Sequence, residues 1–62
     1  MRLVGQFITR YPQISGYDLI VVLEHMSRKA GVSRDSLLAA ALADRKSAEY
    51  LVGVVQRLVA GA

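Results

Sequence analysis

The chain has no cysteine, no tryptophan, one proline and one histidine in 62 residues. Without cysteine there is no disulfide and no thiolate metal site, and one histidine cannot build a metal centre alone. Aromatic residues make up 6% against a hydrophobic share of 53%, so the apolar material is almost all aliphatic. The longest unbroken apolar run, Leu37 to Ala43, is far short of a membrane span. The opening Met1-Arg2-Leu3-Val4-Gly5-Gln6 lacks the apolar core of a signal peptide, because Gln6 and Arg10 interrupt it. A cytoplasmic protein without membrane contact is the expectation. There is no metal motif and no glycine-rich phosphate loop, and nothing brings Asp35, Ser36 and distant His25 together as a triad. Neither an enzyme nor a cofactor is expected.

Length raises a stability problem. A chain this short buries only about 60% of the surface that its unfolded form exposes, so a lone core is marginal. Disulfides, a metal or association with a second chain are the usual remedies. With the first two removed, association is the one left, and an obligate oligomer is the first expectation. Eight Lys and Arg against five Asp and Glu give a net charge of +3 and a pI near 9.8. That bias is compatible with nucleic acid or an anionic membrane.

Punctuation divides the chain into four pieces. Phe7, Ile8, Thr9 and Tyr11 are strand-favouring types, and Pro12 pushes Tyr11 toward extended geometry. This predicts a short strand over Gly5 to Tyr11. Ser15 followed by Asp18 is close to a capping box. Leu19, Val22, Leu23, Met26 and Ala30 then recur at helical spacing, with Gly31 as a left-handed cap. Ser33 is a good N-cap for a second helix rich in Leu and Ala. The cluster Asp44-Arg45-Lys46-Ser47 interrupts or ends that helix. A last helix, Ser47 to Val59, carries the stripe Ala48, Leu51, Val52, Val55, Leu58 and Val59. A single strand needs a partner for its backbone groups, and pairing with the same strand of a second copy across a two-fold axis supplies one.

Two motifs resemble a known family. Gln6-Phe7-Ile8-Thr9-Arg10-Tyr11-Pro12 is similar to the strand-plus-proline opening of the ribbon-helix-helix repressors, of the Arc and Mnt phage type. Gly31-Val32-Ser33-Arg34-Asp35-Ser36-Leu37-Leu38 resembles the turn between that family's two helices. The resemblance spans Gln6 to about Lys46. It implies a mostly α fold with one N-terminal strand, an intertwined dimer with a two-stranded antiparallel ribbon, and an extra C-terminal helix. It also implies a sequence-specific DNA-binding protein, a transcriptional repressor, whose ribbon enters the major groove of double-stranded DNA. Gln6, Ile8 and Arg10 would then contact bases, and Val32, Ser33 and Arg34 would seat a phosphate at a helix N-terminus. The dimer core would hold Phe7, Leu19, Val22, Leu23, Met26, Leu38 and Leu42. On this reading residues 1–46 are the DNA-binding domain, and 47–62 are a helix for oligomerisation or for covering the core. The homodimer is the basic assembly, a tetramer the further option, and the last helix a surface for a protein partner.

Two other functions compete with that reading. Leu23 to Leu42 also fits a helix-turn-helix regulator, with Met26, Ala30, Val32, Leu37 and Ala40 as core. Its recognition helix would be Ser33 to Ala43, which is nearly bare of base-reading side chains. The remaining alternatives do without DNA: a helical protein–protein adaptor, or a membrane-active cationic peptide. Scattered charges and clear caps argue against the peptide.

Overall fold

The computed structural model describes residues 2–61. They form four helices: α1 (Arg2–Arg10), α2 (Gly16–Ala30), α3 (Arg34–Ala43) and α4 (Arg45–Gly61). No strand occurs among the described residues. The expected fold, an N-terminal strand paired into a ribbon within an intertwined dimer, is therefore corrected to an all-helical one.

The correction has a physical reason. Leu3, Val4, Phe7, Ile8 and Tyr11 fall at i, i+1, i+4, i+5 and i+8, which is one helix face. Strand propensity at Phe7, Ile8 and Thr9 is outweighed by burial along that face. Phe7 is fully buried, and Leu3, Val4, Ile8 and Tyr11 pack around it. The Phe7 and Tyr11 rings lie with centroids 4.8 Å apart. The Thr9 hydroxyl donates to the Gly5 carbonyl at 2.8 Å, which satisfies this β-branched residue inside a helix. The Tyr11 N–H donates to the Phe7 carbonyl at 2.8 Å. The next residue, Pro12, has no N–H with which to continue the ladder.

The remaining helices start where their caps predict. Ser15 is the N-cap of α2 and accepts from the Asp18 N–H at 3.1 Å. Gly31 ends α2 with φ at 69°, its N–H donating to the Ser27 carbonyl at 2.9 Å. Ser33 caps α3 by accepting from the Ser36 N–H at 3.1 Å. Asp44 alone separates α3 from α4: it is extended, with φ at −134°. Its carboxylate accepts from the Ser47 hydroxyl at 2.8 Å, and its carbonyl accepts from the Ala48 N–H at 3.0 Å. The last helix thus begins at Arg45, earlier than its apolar stripe suggests.

α2 and α3 each touch all of the other three helices, whereas α1 and α4 do not meet. The alanines of α3 let neighbours approach closely. Leu38 and Ala41 are its buried residues. α2 contributes Leu19, Val22 and Leu23, the inter-helix turn adds Ile14, and α4 adds Ala48, Leu51, Val52 and Val55. Of the residues expected in a shared dimer core, Phe7, Leu19, Val22, Leu23 and Leu38 are buried within one chain, while Met26 and Leu42 are partly buried against them. Each fully buried large side chain contributes about 1.5–3 kcal/mol. α4 covers this core directly with its first three turns. Leu58 and Val59 continue its stripe beyond the core and are exposed.

Candidate functional site

Helical geometry regroups the residues expected to read DNA. On a strand, Gln6, Ile8 and Arg10 share one face; on a helix, positions 6 and 10 are neighbours and position 8 points the opposite way. Ile8 accordingly packs against the core. Gln6 and Arg10 are exposed and, with Gly5 and Thr9, line a shallow hollow. Arg10 also reaches the Leu42 carbonyl at the end of α3, at 3.4 Å. The three residues therefore do not form the base-reading row expected of them.

At the expected phosphate seat, side chains already make contacts within the chain. The Ser27 hydroxyl donates to the Val32 carbonyl. Ser33 spends its hydroxyl oxygen on the α3 cap. Arg34 pairs with Glu24 at 3.0 Å, and Arg28 meets the same carboxylate at 3.6 Å. Asp35 already places a negative charge in the first turn of α3, where the helix dipole favours it.

The helix-turn-helix pattern fares differently. None of its five expected core residues is buried. Met26 and Leu37 are partly exposed, and Ala30, Val32 and Ala40 are exposed. The α3 residues directed inward are instead Leu38 and Ala41. The outward side of α3, with Asp35, Ser36, Ala39, Ala40 and Ala43, carries no cation.

Among the described residues no three His, Asp or Glu side chains gather as a metal site, and no polar side chain is buried. No helix described is long and apolar enough to cross a membrane. The distinctive surface is apolar. Tyr17 and Val21 of α2 are 77% and 50% exposed, and Leu58 and Val59 of α4 are 55% and 52% exposed. These four line one groove between the two helices, with Asp18 at its edge and Val22 at its floor.

No family model, curated protein or solved structure matches the chain. The surface must be interpreted from its own chemistry.

Sequence periodicity had placed Leu58 and Val59 on a buried stripe and had no role for Val21. One signal does point to Val21. Leu19-Ile20-Val21-Val22-Leu23 is a continuous apolar run inside a helix, and such a run covers more than the one face a core needs. Tyr17 stands mostly outside.

Proposed function

We propose that this chain is a self-associating helical adaptor, a protein–protein interaction module whose working form is a homodimer. The observation that carries this reading is the convergence of Tyr17, Val21, Leu58 and Val59, all exposed, on one α2–α4 groove. Contiguous apolar surface of this kind marks interaction sites. A second copy fits by charge. Asp18 sits at the groove edge and Arg57 lies next to Leu58 in sequence. Neither has an ion-pair partner among the described residues. In the proposed dimer Asp18 of one protomer would meet Arg57 of its partner across the two-fold axis.

Sedimentation equilibrium at micromolar concentration tests the reading. The full chain should show twice its 6.8 kDa mass. Val21→Asp and Leu58→Asp, each at an exposed position, should return it to the monomer mass while the helical circular dichroism is retained. A monomeric full chain, or dimers that survive both substitutions, would refute this assignment.

DNA binding is the second reading, favoured by the net charge of +3 and by Arg2, Lys29, Lys46 and Arg57, which have no ion-pair partner among the described residues. Such charges support sequence-independent phosphate contact, whose affinity falls steeply with salt. Fluorescence anisotropy with labelled duplexes of different sequence tests it. Salt-dependent binding that is equal on all duplexes is the result expected of this surface, and no binding at low salt removes the reading.

A further inference from the structure

A second apolar surface crosses α2, α3 and α4 and shares no lining residue with the Tyr17–Val59 groove. Met26, Leu37, Ala40, Tyr50 and Leu51 line a cleft of about 380 Å³. Its depth comes from small side chains: Ala40 and Ala41 stand where larger ones would fill the space between α3 and α4. Tyr50 is 65% exposed at its margin.

Lys46 is the charged residue that lines this cleft, and Lys29 lies one turn beyond Met26 on the same side of α2. Neither lysine is in an ion pair among the described residues. No carboxylate lines the cleft. Of the acids outside it, Glu24 holds Arg28 and Arg34 and Glu49 holds Arg45 at 3.3 Å, while Asp44 accepts from Ser47 at the cleft margin. A second copy is the wrong occupant, because facing two such rims sets lysine against lysine.

We propose that this cleft docks an amphipathic helix of a partner protein, its apolar stripe against Leu37, Ala40 and Tyr50 and its acidic flank against Lys29 and Lys46. A hydrophobic groove between helices is a recurrent seat for such a helix, anchored by residues one turn apart. The proposal names the partner class of the adaptor, but it rests on a different face from self-association, so each can fail without the other.

The probe is a fluorescein-labelled synthetic 18-residue helical peptide with leucines at i, i+3, i+4 and i+7 spacing and glutamates on both flanks. A matched peptide carries lysines in place of the glutamates. Anisotropy titrations use the full chain, Ala40→Trp, Lys46→Glu and Val21→Asp. The glutamate peptide should bind saturably, and the lysine peptide about tenfold more weakly or less. Ala40→Trp fills the cleft from an exposed position and should abolish binding. Lys46→Glu should weaken the glutamate peptide about fivefold, as for loss of one exposed ion pair. It also places an acid in the first turn of α4, which favours the helix. Val21→Asp should leave peptide binding unchanged, which separates this result from the fate of the dimer. Equal binding of the two peptides, full affinity in Ala40→Trp, or no saturation by the glutamate peptide would overturn the proposal. So would saturable binding of decanoate to the cleft with no peptide binding, which would assign it to a small amphiphile.

Discussion

At Gly31 the backbone holds φ at 69°, a conformation in which a Cβ is strained whatever space surrounds it. Gly31→Ala should therefore lower stability by about 1–2 kcal/mol, although nothing lies within 4 Å of the added methyl. Gly53 presents the opposite case. It lies inside α4 with helical backbone, and a Cβ there also meets nothing within 4 Å. Gly53→Ala should raise stability by about 0.5–1 kcal/mol through helix propensity. Urea unfolding of the two variants checks both signs. Phe7 is the residue whose loss matters most. Its ring is fully buried at the centre of the α1 face, and Phe7→Ala should cost about 3–5 kcal/mol. In a domain this small that is most of the available stability, so the variant's melting transition should fall to ambient temperature or vanish.

α1 is the element whose identity depends most on its surroundings. It has nine residues, fewer than the roughly 12–15 at which an isolated helix becomes even marginal in water. It contains Gly5 and the β-branched Val4, Ile8 and Thr9, and no acid in its first turn. A peptide of residues 1–12 should therefore give a coil-like circular dichroism spectrum in buffer. Strong helicity in that peptide would mean that local propensity, not packing, makes the helix. α2 and α3 differ because they carry side-chain caps at Ser15 and Ser33. Ser15→Ala and Ser33→Ala should each cost about 1 kcal/mol, measured in the same unfolding experiment.

One chain closes its own core. The Cα radius of gyration is 10.5 Å, close to the roughly 10.6 Å of a compact domain of this length. α4 is integral to that closure, since Ala48, Leu51, Val52 and Val55 face inward beneath it. A chain ending at Ser47 should fail to fold cooperatively, read by loss of the thermal transition. A cooperative melt in that shortened chain would show that the first three helices make a sufficient core. Self-association would therefore use a particular surface and is not needed to complete the core. Part of the aliphatic excess counted in the composition is found outside, on Val21, Leu58 and Val59.

The punctuation of the chain was legible because its signals are local. Ser15 and Ser33 each offer an oxygen to an N–H three residues on. Gly31 adopts a backbone that other residues avoid, and Pro12 stops a hydrogen-bond ladder. Leu19, Val22 and Leu23 announced their burial by period alone. The sequence by itself therefore determined the second and third helices, the turn between them and the inner face of the second. Tertiary structure decided the rest. Residues 5–11 satisfy a strand by propensity and a helix by spacing, and only a place for Phe7 among the other helices selects between them. The stripe on α4 is uniform along the sequence, yet Val55 is buried and Leu58 is exposed, because the elements beneath it end there. Periodicity specifies which face of a helix is apolar, but how far along that face a neighbour extends is set by the other helices.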